Sequence, residues 1–88
     1  MPYHVEMSRS ALRDLRRLRD SDILRITQAV RALENEPLPN DVRKLTGKDS
    51  WRIRVGEYRV IYAISHARQH IEIQDVLRRS SRTYRNLA

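Results

Sequence analysis

The stretch WRIRVGEYRVIY, residues 51–62, constrains this chain more than any other. Trp51, Ile53 and Val55 alternate with Arg52 and Arg54. After Gly56-Glu57 the alternation resumes, with Arg59 between Tyr58 and Val60, and Tyr62 two residues on. Such period-two patterning belongs to half-buried strands, whose successive side chains point to opposite faces. Two runs joined by two residues, glycine first, predict a hairpin closed by a type II′ turn. The turn dictates the register: Val55 opposite Tyr58, Arg54 opposite Arg59, Ile53 opposite Val60 and Arg52 opposite Ile61. Trp51, Ile53, Val55, Tyr58, Val60 and Tyr62 then share an apolar face, while Arg52, Arg54 and Arg59 share the other. Like charges directly opposite on paired strands cost about 0.2–1 kcal/mol. A purely structural sheet gains nothing from setting Arg54 against Arg59, and an anion held between them removes the conflict. The plainer alternative is a solvated charged face.

The rest of the chain supplies elements for this hairpin to pack on. Residues 3–7, YHVEM, alternate and predict a short first strand. Ser8 or Ser10 can cap a following helix whose apolar stripe is Ala11, Leu12, Leu15 and Leu18. RDSD, residues 19–22, breaks it, and Ser21 is the candidate cap of a second helix. There Ile23, Ile26, Val30 and Leu33 follow helical spacing, backed by Ala29. Pro37 and Pro39 end that helix. RKLTGKDS, residues 43–50, reads as a basic loop. Strands follow at 51–55, 58–64 and 71–77, with SHARQH as the connecting loop and a basic tail after residue 77. The expected fold class is α+β, in the order β-α-α-β-β-β. A C-terminal antiparallel sheet packs on an N-terminal helical hairpin, and residues 1–88 form a single domain.

With 88 residues and no cysteine, the chain must stabilise this core without disulfides, which suits a reducing compartment. No apolar run approaches the roughly 18–20 residues of a membrane span, and the N-terminal decapeptide lacks a signal-peptide pattern. A cytoplasmic location without membrane attachment is the expectation. The net charge is +7, and of 18 basic residues only Lys44 and Lys48 are lysines. Guanidinium binds phosphate bidentately and stacks on bases, so this balance suits a nucleic-acid partner. Arginine-rich codon usage produces the same count, so composition alone leaves the partner open.

The runs RKLTGKDSWRIRVGEYRVIY and IEIQDVLRRSSRTY, with the opening YHVEMSRSALRDLRRL, resemble the RelE/ParE superfamily of toxins from bacterial toxin–antitoxin modules. The resemblance covers nearly the whole chain, and its most specific part is the 51–62 core. It implies a RelE-like microbial RNase fold and a ribosome-dependent endoribonuclease that cleaves mRNA in the 30S A site. The implied partners are a RelB-like antitoxin, in a toxin–antitoxin hetero-oligomer, together with the ribosome and its message. Residue matching implies catalytic roles for Arg52, Arg54, Arg59, Arg79 and Tyr84. Lys44, Lys48, Arg78 and Arg82 are the accompanying candidates for RNA contact. The chain carries Leu77-Arg78-Arg79 where the family often has Gly-His-Arg or Gly-Lys-Arg. Because this core is shared across branches, the alternative is a ParE-like inhibitor of DNA gyrase without nuclease activity.

Cleavage of RNA by its own 2′-hydroxyl needs a base, cations to stabilise a doubly charged phosphorane, and a donor to the 5′ oxygen. Arg54 and Arg59 suit the cationic role. Tyr84 suits either the base or a stacking partner, and Arg79 suits hydrogen bonding to the leaving oxygen. Such chemistry needs no metal or cofactor, and the sequence presents no cluster with convincing ligand spacing. His66 and His70 are four apart but fall in a predicted loop, and His4 reads as a solvated strand residue. Tyr58, Tyr62 and Trp51 read as core aromatics.

Overall fold

The structure is a computed structural model that describes residues 2–45 and 50–78. Its elements are β1 (His4–Met7), α1 (Arg9–Arg16), α2 (Asp20–Ala32), β2 (Arg43–Lys44), β3 (Ser50–Val55), β4 (Tyr58–Ser65) and β5 (His70–Arg78). They form one sheet in the order β1-β5-β4-β3-β2, with both helices against one face. This is the expected α+β class with two additions. The first strand joins the sheet, running parallel to β5 in an otherwise antiparallel arrangement. The segment expected to be a basic loop contributes the short edge strand β2, antiparallel to β3.

The β3–β4 hairpin has the register its turn demands: Val55↔Tyr58, Arg54↔Arg59, Ile53↔Val60 and Arg52↔Ile61. Gly56 adopts φ +60°, and Glu57 is absent from the residues with positive φ. One left-handed residue followed by an ordinary one is the type II′ pattern, and it explains the glycine.

Helix α1 starts as soon as β1 leaves the sheet. The Ser8 amide still bonds to the Ile73 carbonyl of β5 at 2.9 Å. Its hydroxyl meanwhile caps the helix by accepting from the Ala11 amide at 3.0 Å. Ala11 is fully buried and Leu15 and Leu18 are half-buried, but Leu12 faces outward, so the stripe is narrower than its spacing implies. Helix α2 begins two residues earlier than a Ser21 cap predicts. Arg19 is its N-cap residue and makes no side-chain capping bond. Asp20 and Asp22 in the first turn supply the negative charge that a helix N-terminus favours.

The core lies between these helices and the sheet. Ile26 and Val30 of α2, with Leu33 beyond it, meet Ile53, Val55, Tyr58, Val60, Tyr62, Ile71, Ile73 and Val76. Burying each such side chain contributes roughly 1.5–3 kcal/mol. Trp51 is only half-buried at the margin of this core. A small second cluster occupies the opposite face, where Leu45 and Ile61 are buried against Leu77. The Leu45 amide donates to the Ser50 carbonyl at 2.9 Å, which holds β2 beside β3.

A bulge in β5 decides where its C-terminal half points. Ile61 pairs with Asp75 but Tyr62 pairs with Ile73, so β5 carries one extra residue there. Helix α1 satisfies the backbone groups around it. The Ser8 hydroxyl donates to the Gln74 carbonyl at 2.8 Å, and the Asp14 carboxylate accepts from the Val76 amide at 3.2 Å. Ser10 adds a bond to the Asp75 carboxylate at 3.0 Å. Strict alternation from Ile71 and Ile73 would turn Asp75 and Leu77 toward the helices. The bulge brings Val76 into the core instead and sends Leu77 to the opposite face.

Candidate nucleic-acid interface

The face away from the helices collects arginines from three strands. Arg54 stands opposite Arg59 across the hairpin, and Arg43 of β2 stands opposite Arg52 of β3. Each pair is a cross-strand juxtaposition of like charges. Arg43, Arg52 and Arg54 line a cleft of about 250 Å³ together with Asp41. Among the described residues, three cations to one anion in a concave site focus positive potential where a phosphate would sit. Arg54 and Arg43 are exposed, while Arg52 and Arg59 are half-buried. The small cluster of Leu45, Ile61 and Leu77 lies on this same face and gives the charged surface a firm floor.

The expected residues divide clearly. Arg52, Arg54 and Arg59 come together on adjacent strands. Lys44 does not join them: it is paired with Trp51 on the helix side of the sheet, its Nζ 5.7 Å from the Trp51 ring centroid. Arg78 is likewise directed elsewhere. The bulge pairs it with Tyr58, and its guanidinium lies 5.8 Å from that ring. Lys48, Arg79, Arg82 and Tyr84 lie outside the described residues.

Arg43 and Asp41 are the cleft residues that pattern reading missed. A two-residue strand has too few positions to show a period, so Arg43 looked like part of a loop. The only available signal was the basic cluster at the start of RKLTGKDS.

Neither core tyrosine faces the cleft. The Tyr58 hydroxyl donates to the Asp22 carboxylate at 3.1 Å. Burial, then the bond to Asp22 and its negative charge, push its pKa up. The Tyr62 hydroxyl donates to the Pro37 carbonyl at 2.8 Å, and burial, followed by the charge of Asp41, raises its pKa strongly. Both phenols are held neutral on the far side of the sheet. Among the described residues the cleft therefore offers guanidinium groups and one carboxylate. That set is suited to binding a phosphodiester and stabilising added negative charge on it. The one carboxylate is a poor donor set for a divalent ion.

The histidines are arranged differently from their spacing in sequence. His66 Nδ1 lies 2.8 Å from the Tyr3 hydroxyl. His70 lies beside His4 and Glu6, at the opposite corner of the sheet from the arginines.

Residues 5–83 match the family described as the ParE toxin of type II toxin–antitoxin systems. A protein named toxin RelE from Mycobacterium tuberculosis is 36% identical over 87 residues, covering 91% of this chain and 84% of its own length. A protein carrying the name RelE1 from Methanocaldococcus jannaschii is 30% identical over 90 residues, covering 98% and 99% respectively. The fold is similar to the crystal structure of the archaeal RelE–RelB complex from Pyrococcus horikoshii OT3. That likeness has a TM-score of 0.82 and 32% identity over 91% of this chain and 98% of the other.

Proposed function

This chain belongs to the ParE toxin family of type II toxin–antitoxin systems, and from that premise we propose that it is a RelE-type toxin that cleaves mRNA on the ribosome. The family model carries the ParE name, whereas relatives that match almost end to end carry the RelE name. The observation that carries the nuclease reading is the pair of opposed arginine sets, Arg54 with Arg59 and Arg43 with Arg52, on one face of the sheet, where Arg43, Arg52 and Arg54 line a cleft.

In this reading the scissile phosphate sits over the cleft and the 2′-hydroxyl of its own nucleotide attacks it, giving up its proton to a base. A 2′,3′-cyclic phosphate forms as the bond to the 5′ oxygen breaks, and that oxygen takes a proton from water. The phosphorane gains charge on its equatorial oxygens as the new bond forms. Arg54, Arg59 and Arg52 then bind the transition state more tightly than the substrate, which is the requirement for catalysis. Tyr84, as base or stacking partner, and Arg79, as hydrogen-bond donor to the leaving oxygen, complete the site as the resemblance implies. Arg82 and Lys48 join as phosphate contacts. No step requires a metal ion, in keeping with the guanidinium-rich cleft. Solved relatives include RelE–RelB complexes, which supports a RelB-like antitoxin as the neutralising partner. The positive charge would speed its association. Action on ribosomes would place the toxin in the cytoplasm. No helix among the described residues is long and apolar enough to cross a membrane.

Primer extension on a translated message tests the reading. Wild-type protein should produce cleavage sites within the reading frame only during translation, and Arg59→Ala should remove them while keeping the same circular dichroism. A protein that cleaves nothing but blocks gyrase supercoiling would establish the gyrase reading that the ParE family name favours. Full cleavage by Arg59→Ala would refute this assignment of the site.

A further inference from the structure

We propose that His4, Glu6 and His70 form a divalent transition-metal site that ties the first strand to the last. The parallel pairing of β1 with β5 sets His4 directly beside His70, and Glu6 follows two residues later on the same face as His4. Val5 and Met7 alternate with them and pack against the core, so the three polar side chains occupy the outer face. The Glu6 carboxylate lies 3.1 Å from His4 Nε2 and 3.5 Å from His70 Nε2, through the same oxygen. The ligand atoms of all three residues lie within 4.8 Å of one another.

These separations suit an ion at the centre. Zinc takes nitrogen and oxygen ligands at about 2.0–2.2 Å in a tetrahedron, which spaces the ligand atoms roughly 3.4 Å apart. Two imidazoles and one carboxylate also form the set that leaves a fourth position open for water. Imidazole favours zinc and its neighbours over magnesium or calcium. The local charge is favourable as well. Glu72 is paired with Glu6, so two carboxylates share this corner of a chain whose net charge is +7. Without a cation, exposed histidine–glutamate contacts of this kind contribute little and leave those carboxylates opposed.

The site stands apart from the arginine cleft. His70 pairs with Ser65, four residues along β4 from Ile61, the partner of the cleft residue Arg52, which places it about 13 Å away along the strand and two strands across. A metal there has no part in phosphate chemistry. Its effect is to clamp the four-residue edge strand β1, from which α1 departs, onto β5.

The test uses the tag-free full chain and zinc chloride alone. Calorimetric titration should give one ion per chain, and excess zinc should raise the melting temperature relative to protein treated with chelator. His4→Ala and His70→Ala should each weaken binding at least roughly tenfold, and Co2+ should develop visible ligand-field bands that both variants lose. His66→Ala serves as the control and should bind like wild type. All three positions are exposed or half-exposed, and circular dichroism of the metal-free variants checks that each folds. The proposal is overturned if zinc fails to bind at one equivalent. It is equally overturned if folded His70→Ala binds as tightly as wild type, or if His66→Ala loses as much affinity as His70→Ala.

Discussion

Replacing Asp14 with alanine should loosen the part of β5 that carries Leu77 and Arg78. The Asp14 carboxylate accepts from the Val76 amide at the bulge, and Val76 is 5% exposed, so water cannot readily replace it. Losing a hydrogen bond to a charged acceptor costs about 1.5–3 kcal/mol. Two terms oppose the loss. Alanine is the better helix former by up to about 0.7 kcal/mol. Asp14 also sits near the C-terminal end of α1, where a negative charge costs about 0.3–1 kcal/mol. The net expectation is a destabilisation of about 1–2 kcal/mol, lowering the melting temperature by at least roughly 4 °C in a domain of this size. Asp14→Asn keeps an oxygen acceptor and should stay within about 1 kcal/mol of wild type. Urea denaturation measures the global term, and amide hydrogen exchange at Val76 measures the local one. If Asp14→Ala matches wild type in both, then α1 does not hold the bulge, and strand pairing alone must fix it.

Four further outcomes are expected. Gly56→Ala should destabilise the hairpin by roughly 1–2 kcal/mol in thermal melts, because φ +60° strains any L side chain. The Arg25 guanidinium, 2.7 Å from the added Cβ, can move aside, so the backbone strain sets the cost. Ile61→Ala, at a site 1% exposed, should cost about 2–5 kcal/mol in urea denaturation and also weaken RNA binding in an anisotropy assay, since Ile61 supports Leu45 next to Arg43. Stability should fall as pH rises above about 10. Tyr58 and Tyr62 have raised pKa values, so the folded state holds phenolic protons that the unfolded chain releases, and the stabilisation present below that pH is lost above it. Urea midpoints across this range, with Tyr58→Phe showing a shallower decline, measure the effect. Ribosome affinity should fall steeply with added salt if phosphate contacts dominate, and a flat response in a sedimentation assay would contradict that.

Local physics made much of this protein legible without coordinates. A two-residue turn with glycine first permits few registers, and period-two alternation assigns every hairpin side chain to a face. The opposition of Arg54 and Arg59, the apolar face and the core positions of Tyr58 and Tyr62 all follow from neighbours within a dozen residues. The helical hairpin followed from spacing in the same way, with errors at Leu12, at Ser21 and at Ile23, which lies outside the core cluster. The family resemblance likewise rests on a continuous motif.

Long-range pairing decided the rest. His4 and His70 become neighbours only through the pairing of β1 with β5, and nothing near either residue encodes it. Strand β2 is too short to show a period, and it forms because Leu45 can be buried against Ile61 on a face that looks polar in sequence. The bulge matters most for the site. It depends on whether Ser8 and Asp14 of a distant helix can satisfy the backbone of Gln74 and Val76. A single extra residue then exchanges the faces of everything after it, which is why Arg78 meets Tyr58 rather than the arginine cleft. Alternation and turn geometry act through covalent neighbours and are written in the sequence. Strand partnership and bulge placement depend on buried groups far apart in the chain, and only the folded structure brings those groups together.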